Sequence, residues 1–278
     1  MQLCALDDKD LIYAFQAVKN KDYICPECST RVRLRGGRFQ QLHFFHLSTN
    51  PIGCRQHAKS LIHLRTQQYI SSQFAESFME YYFPEINRFA DVVIPSEKLI
   101  FEVQCSPISL FEVRARQAAY AKTGYQLVWI LHDARFNRRG LSDAESHLLN
   151  STCYYTDMDA FGNGRIYDQF TIRSNVKRLY IGKKCPVDIG NPLCIKKIQT
   201  TPKSKKIRIR QKNWPLYFKN DLIDRSQKSM VFASSLKRQE ALCRLKQHSK
   251  FTNGLKKILA KAMEHLRSVA FSFAESGQ

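Results

Sequence analysis

The pattern of apolar and polar residues is clearest between residues 57 and 131, where it predicts alternating helices and strands. Residues 57–80 show a loose helical pattern, with apolar side chains at Leu61, Leu64, Tyr69 and Phe74. Two strands follow at Arg88–Ile94 and Leu99–Gln104, and residues 95–97 between them are few enough for a hairpin turn. These two strands are therefore expected to pair antiparallel.

A second helix is predicted after this hairpin. Ser109 and Glu112 have the spacing of a capping box, in which each residue satisfies a free amide at the start of a helix. Gly124 can adopt the left-handed conformation that ends a helix, and residues 125–131 form the continuous apolar run of a buried strand. The order strand, helix, strand predicts a right-handed crossover and an α/β fold.

Composition divides the chain into three predicted modules. Residues 1–56 hold a cluster of cysteines and histidines, residues 57–165 carry the helix and strand pattern, and residues 166–278 form a basic region that is mainly helical. Positive charge is concentrated late, with 18 Lys and Arg against 5 Asp and Glu in residues 201–278. A cationic amphipathic helix is predicted at residues 253–269.

Charge and apolar content narrow the classes of function. The 278 residues contain 44 Lys and Arg against 24 Asp and Glu, a net charge of +20 that attracts polyanions and indicates a nucleic acid as partner. No apolar run approaches the roughly 20 residues of a membrane span, and the acidic first ten residues lack a secretory signal. The chain is therefore expected in the cytoplasm, where its nine cysteines serve as thiols or metal ligands.

A zinc site is predicted near the N-terminus. Cys25 and Cys28 have the spacing of a zinc knuckle, and candidates for the other two positions follow at His43, His46 and Cys54. His46 and Cys54 are the predicted ligands, with His43 as the alternative, because histidines three residues apart face different ways in an extended segment. A module of about fifty residues buries little apolar surface and gains stability from a metal.

The predicted zinc would have a structural role, because four protein ligands leave no position for substrate. The alternative is a redox pair formed by Cys25 and Cys28. Redox motifs usually open a helix, whereas residues 31–37 show the pattern of a strand and a turn. The arginines of that strand either contact DNA or form its solvated face.

Candidate catalytic residues lie on the predicted hairpin. Glu102 and Gln104 are two residues apart and so project from one face of their strand, where Asp91 of the neighbouring strand can converge with them. Paired carboxylates bind Mg²⁺ or Mn²⁺, and such an ion can activate water for hydrolysis of a phosphodiester. The alternative is that both acids face solvent. Phe101 and Val103 argue against it, because they place the strand inside a sheet, where buried polar groups need partners.

Two residues of the second predicted helix are secondary candidates. Arg116 and Tyr120 lie one helical turn apart and can face the same site. A helix beside a sheet also carries polar residues for solvation, so this pattern alone does not assign them a function.

In their order along the chain, these motifs resemble the competence protein CoiA family. The resemblance covers roughly residues 1–135. It is carried by Cys25-Pro26-Glu27-Cys28, by His43-Phe44-Phe45-His46, by His63, by Arg88-Phe89-Ala90-Asp91 and by the segment from Phe101 to Ser109. The central domain of that family is similar to PD-(D/E)xK nucleases. The resemblance therefore implies a restriction-endonuclease-like mixed-sheet core, a divalent metal ion, and processing or recombination of DNA taken up during natural transformation.

The resemblance also implies roles for individual residues. Asp91 would match the first metal-binding acid, Glu102 the second, and Gln104 the position where the nuclease lysine usually stands. A glutamine carries no positive charge, although its amide can orient water. His63 on the first helix would hydrogen-bond a phosphate or a metal-bound water, or else serve as a structural residue.

Three functions are compatible with these residues. The preferred one is a Mg²⁺- or Mn²⁺-dependent deoxyribonuclease that acts on single-stranded or branched DNA. The main alternative is a catalytically inactive DNA-binding adaptor that recruits recombination proteins. Gln104 favours the adaptor, as do Lys59 and Ile62, which stand where the first helix of such nucleases often carries an acid. A zinc-dependent transcription regulator would need a recognition helix after the knuckle, and the sequence pattern predicts none.

Overall fold

The computed structural model describes residues 2–8, 10–37, 40–48, 54, 59–174, 176–194, 208–209 and 216–246. The described residues up to Asp224 form one unit, and those from Arg225 onward belong to a second. Within the second unit, residues 230–246 are helical. The amphipathic helix predicted at residues 253–269 lies outside the described residues.

The N-terminal segment forms an antiparallel sheet. Its strands are β1 (Cys4–Asp7), β2 (Asp10–Tyr13), β3 (Asp22–Ile24), β4 (Arg31–Gly37) and β5 (Gln40–His46), in the order β2-β1-β3-β4-β5. Val32 and Leu34 of β4 pack with Phe44 of β5 in a small core, whereas Arg31 and Arg35 alternate with them and are exposed. The alternating arginines therefore occupy the solvated face of β4.

The rest of the first unit is built on a large mixed sheet. Its elements are α1 (Leu61–Ser71), β6 (Phe78–Phe83), β7 (Arg88–Ile94), β8 (Leu99–Gln104), α2 (Leu110–Tyr120), β9 (Gln126–His132), α3 (Asp143–Leu148), β10 (Cys153–Thr156), β11 (Ile166–Ser174), β12 (Lys177–Pro186) and β14 (Arg208–Ile209). The strand order is β12-β11-β10-β9-β8-β7-β6, and β14 pairs with β11. Between β12 and β14 in the chain lies β13 (Asp188–Cys194), which pairs with β15 (Leu216–Lys219). The helix α4 (Leu222–Lys228) follows β15.

The predicted hairpin and second helix are confirmed. β7 and β8 have the predicted bounds and pair antiparallel, with Val92 opposite Phe101. The Ser109 side chain accepts a hydrogen bond from the Glu112 amide and so caps α2, and Gly124 has a left-handed φ of 76°. β9 then runs parallel to β8.

The first predicted helix is shorter than its sequence pattern. α1 ends at Ser71, and the apolar residues of Phe78–Phe83 form β6, the edge partner of β7. The order after α1 is therefore a three-stranded antiparallel meander rather than a hairpin. A strand that alternates imperfectly and follows a helix closely is difficult to separate from that helix by periodicity.

The apolar residues of the large sheet cover both of its faces. Ile70 of α1 packs with Val92, Phe101 and Ile130 on one face, and the Phe218 ring of β15 lies in the same cluster. The opposite face carries Val113 of α2, Trp129 and Leu131 of β9, and Leu148 of α3. All six residues of β8 are buried, which confirms that β8 is a central strand.

The mixed α/β fold class is confirmed. The predicted boundary between residues 165 and 166 falls inside the large sheet, since β10 and β11 pair directly on either side of it. The division into modules at residues 56 and 165 stays a prediction. The mainly helical character predicted for residues 166–278 is not confirmed, because the described part of this range begins with the strands β11 to β15 and is helical only at residues 222–228 and 230–246.

The loop between β10 and β11 depends on a glycine. Gly164 has a φ of 141°, and a Cβ at this position would lie 2.5 Å from the Met158 Cα. We expect Gly164→Ala to lower the free energy of unfolding by about 2 kcal/mol or more, because backbone cannot give way as a side chain does. The matched control is Gly140→Ala, whose new Cβ meets no atom within 4 Å. It should change stability by less than about 0.5 kcal/mol in urea denaturation, and equal losses in the two variants would contradict this account.

Candidate active site and metal-binding clusters

Helix α1 begins next to the polar part of β7. The Ser60 side chain caps α1 by accepting a hydrogen bond from the His63 amide, which fixes the first turn. His63 and Gln67 lie one turn apart, so both side chains reach β7. The Asp91 Oδ1 atom lies 3.0 Å from His63 Nε2 and 3.0 Å from Gln67 Nε2. Lys59, just before the cap, donates to the same oxygen at 2.8 Å.

Asp91 is turned toward α1 by an irregularity in β7. Ala90 and Val93 both pack in the apolar cluster that contains Tyr120 of α2, whereas Val92 packs with α1 on the other face. Two successive residues, Asp91 and Val92, therefore face α1, and the strict alternation of a strand is broken there. The second Asp91 oxygen accepts a hydrogen bond from the Val103 amide at 2.8 Å.

Glu80 is a site residue that the sequence reasoning missed. It lies on β6, is fully buried, and has a left-handed φ of 55°. Its carboxylate accepts hydrogen bonds from Lys59 Nζ at 2.5 and 2.7 Å and from Gln67 Nε2 at 2.5 Å. A lone acid in the aromatic segment Phe78–Phe83 is the signal that could have identified it. A carboxylate buried there needs a charged partner.

These residues form what we call the Asp91 cluster: Lys59, His63, Gln67, Glu80 and Asp91. One ligand atom from each of His63, Glu80 and Asp91 lies within 4.8 Å of the others, so the three can hold a metal ion together. The Oε1 atom of Gln67 is buried and has no hydrogen-bond partner among the described residues. The donor set of one imidazole and two carboxylates fits a divalent cation.

Glu102 is held by α2. Its side chain is 1 % exposed and accepts hydrogen bonds from Arg116 and, at 2.7 Å, from the Tyr120 hydroxyl. Arg116 also donates to Glu112 at 2.9 Å. The two secondary candidates on α2 are thus the direct partners of Glu102, and Glu102 is not among the three residues whose ligand atoms converge in the Asp91 cluster.

A cavity of about 310 Å³ opens beside the cluster. Asp91, His63 and Gln104 line it, as do the basic residues Lys59, Arg88 and Arg116. Gln104 donates its amide to the Ser106 carbonyl at 2.7 Å. Of the predicted catalytic residues, Asp91, His63 and Gln104 therefore meet at one cavity. Glu102 does not line the cavity itself, but its two partners Arg116 and Tyr120 do.

Burial and neighbouring charges shift the pKa values of three groups in this site. Burial alone would raise the pKa of Asp91, but His63 and Lys59 outweigh it and hold that pKa well below its usual range. Burial would likewise lower the pKa of Lys59, yet Asp91 and Glu80 hold it above its ordinary value. The pKa of Glu102 is raised, because burial and the charge of Asp91 outweigh Arg116 and the Tyr120 hydrogen bond.

A second group, the knuckle cluster, consists of Cys25, Cys28, His46 and Cys54. Its ligand atoms lie within 4.8 Å of one another. The Sγ atoms of Cys25 and Cys54 are 3.7 Å apart, and His46 Nε2 is 3.3 Å from the Cys28 sulfur and 3.5 Å from the Cys54 sulfur. Ligands at about 2.0–2.3 Å from a tetrahedral zinc would be separated by roughly 3.5–3.8 Å. The cluster can therefore bind a metal such as zinc.

The alternative ligand His43 lies on the other face of β5. His43 pairs with Arg35 and His46 with Val32, so the two histidines are three residues apart on one extended strand. The knuckle also borders the cavity, because Pro26 and Glu27, between its first two cysteines, line it. A metal in the knuckle would thus hold part of the cavity wall in place.

Among the described residues, no helix is long and apolar enough to cross a membrane.

Of three comparisons with known proteins, one gives a match. Neither curated proteins nor solved structures give a significant match. The family description "Competence protein CoiA, N-terminal domain" matches residues 8–55, and "Competence protein CoiA, nuclease-like domain" matches residues 55–166. The two matches together cover more than half of the 278 residues, and the chain belongs to the competence protein CoiA family.

Proposed function

We propose that this protein is a divalent-metal-dependent deoxyribonuclease that processes incoming DNA in the cytoplasm during natural transformation, before its recombination. Family membership gives a role associated with competence and a nuclease-like domain. The observation that carries the proposal is the meeting of Asp91, His63 and Gln104 with three basic side chains at one cavity. Acidic metal ligands next to cations are what the cleavage of an anionic phosphodiester needs.

The topology around the cavity supports a restriction-endonuclease-like core. β7 and β8 are antiparallel, β9 is parallel to β8, and the sheet carries α1 on one face and α2 on the other. The acids of the site lie on three adjacent strands, at Glu80, Asp91 and Glu102. Rigid strands hold catalytic groups more firmly than loops do.

Asp91 would be the central metal ligand, with His63 and Glu80 already within reach. Glu102 would be the second strand acid, and its oxygens are engaged by Arg116 and Tyr120 in this structure. A bound Mg²⁺ or Mn²⁺ would polarise a phosphate oxygen and lower the pKa of a bound water. Of the remaining groups, Arg88 and Arg116 line the cavity and add to its positive potential while each keeps a carboxylate partner. Gln104 offers its carbonyl oxygen as an acceptor for water.

A second candidate function is a DNA-binding adaptor without catalytic activity. Lys59 and Arg116 already neutralise the carboxylates of the site. Gln104 brings no charge, and its amide nitrogen is committed to Ser106. In this case the cavity would hold a phosphate of bound DNA without cleaving it, and recombination proteins would be the partners.

Cleavage of labelled single-stranded, branched and double-stranded DNA tests the nuclease. We expect cleavage with Mg²⁺ or Mn²⁺, and Asp91→Asn should lower kcat/KM by about 100-fold or more, because the central metal ligand loses its charge. Asp143→Asn is the matched control, since Asp143 is exposed on α3, and it should cleave at the wild-type rate. Comparing Glu80→Gln with Glu102→Gln then identifies which second carboxylate the metal requires. Cleavage that survives Asp91→Asn would contradict the assigned site.

DNA binding measured in chelator, together with cleavage measured in Mg²⁺ or Mn²⁺, separates the two functions. The adaptor predicts that the wild-type chain and Asp91→Asn both bind DNA without metal and that neither cuts it. For either function, the logarithm of the binding constant should fall linearly with the logarithm of salt concentration, because lysine and arginine displace counterions from phosphates. A chain that neither cuts nor binds DNA at about 50 mM salt would contradict both functions.

We further propose that the knuckle cluster holds a structural Zn²⁺. Cys54→Ser should lower the zinc content of the purified chain from about one per molecule to a small fraction, because a hydroxyl is a poor zinc ligand. Cys185→Ser is the control, since Cys185 lies on β12 and belongs to neither cluster, and it should keep its zinc. Zinc content by elemental analysis and thermal unfolding are the measurements. Full zinc occupancy in Cys54→Ser would rule out the assigned ligand set.

A further inference from the structure

Lys59 bridges two of the three residues that can hold the metal. Its Nζ lies 2.5 Å from one Glu80 oxygen and 2.8 Å from Asp91 Oδ1, and its side chain is 13 % exposed. Glu80 and Asp91 are also two of the three residues whose ligand atoms converge. The ammonium group thus supplies, between the same carboxylates, the positive charge that a metal ion would supply.

A divalent ion and this ammonium group cannot share the two carboxylates. Each Lys59 contact is at full hydrogen-bonding distance, so an ion bound by the same oxygens would lie against a like charge in a site with little water. Metal entry therefore requires the Lys59 side chain to leave Asp91 and Glu80.

The cavity offers Lys59 a new partner once a phosphodiester is present. Lys59 itself lines the cavity and lies just before the Ser60 cap of α1. The other two cavity cations are engaged elsewhere: Arg88 contacts Glu112, and Arg116 contacts Glu102 and Glu112. Gln104 has no charge to offer. A phosphate in the cavity would thus draw the Lys59 ammonium group away from the carboxylates.

We propose that Lys59 is an exchangeable cation of the active site, which passes from Asp91 and Glu80 to the substrate phosphodiester as the divalent ion binds. Metal and phosphodiester then bind cooperatively, since each favours the Lys59 position that the other needs. Lys59 in its second position is a phosphate-binding residue and supplies the positive charge that Gln104 lacks. This inference rests on the proposed metal-dependent function.

Mn²⁺ binding to the zinc-loaded chain tests the exchange, with Asp91→Asn defining the site-specific signal. Lys59→Met should bind Mn²⁺ about tenfold more tightly than the wild type in the absence of DNA. A nuclease-resistant phosphorothioate oligonucleotide should tighten Mn²⁺ binding to the wild type by about fivefold or more, and by clearly less in Lys59→Met, where only direct contact between metal and phosphate remains. The matched control is Lys21→Met, which removes a lysine paired with Asp7 on the N-terminal sheet, and it should behave as the wild type.

A second measurement uses the wild-type chain, so it holds even if Lys59→Met does not fold. Lys59 should resist reductive methylation in the metal-free protein and react severalfold faster when Mg²⁺ alone is added, with Lys21 as the internal control. Equal Mn²⁺ affinities for the wild type and Lys59→Met, or Lys59 labelling that Mg²⁺ does not change, would overturn the exchange and leave metal-dependent cleavage standing. Mn²⁺ binding that is the same in Asp91→Asn as in the wild type would overturn the metal site as well.

Discussion

The arrangement of the site depends on the buried carboxylate of Asp91. One oxygen receives donors from Lys59, His63 and Gln67, and the other receives the Val103 amide. These four contacts connect α1 and the residue before its cap to β7 and β8. A carboxylate desolvated in this way is stable only if its donors are complete, so the same contacts that create the site also fix α1 on the sheet.

Much of this frame could be predicted from the sequence. The bounds of β7 and β8 follow from their apolar pattern, and Ser109 and Gly124 mark the ends of the next helical segment because capping is a local interaction. The four members of the knuckle cluster were predicted from their spacing together with the rule that histidines three residues apart on a strand face opposite ways, and their candidate ligand atoms do lie close together. In each case the signal is a pattern or spacing that can be read along the chain without knowledge of which distant segments meet.

The remaining parts depend on long-range contacts that no local pattern encodes. Asp91 faces α1 because β7 loses its alternation there, and strict period two would have placed it beside Glu102. Glu80 enters the site through β6, a strand that the sequence pattern merged with α1. Glu102 was predicted as a metal ligand from its pairing with Asp91 on the hairpin, and this stays a prediction; its carboxylate is engaged by Arg116 and Tyr120 of α2, contacts that no local pattern encodes.

The backbone of Glu80 has a consequence for how this site can vary. Its left-handed φ of 55° is a conformation that glycine and asparagine adopt easily and that a longer side chain adopts at a cost. Position 80 thus has two opposed requirements: the backbone favours a residue that cannot carry the carboxylate, and Lys59 needs the carboxylate. A substitution by glycine or asparagine would relieve the backbone strain in β6. It would also remove the carboxylate that pairs with the buried ammonium group of Lys59. The strained backbone is therefore retained at this position, because losing the carboxylate partner of Lys59 would cost more stability than relaxing the backbone would restore.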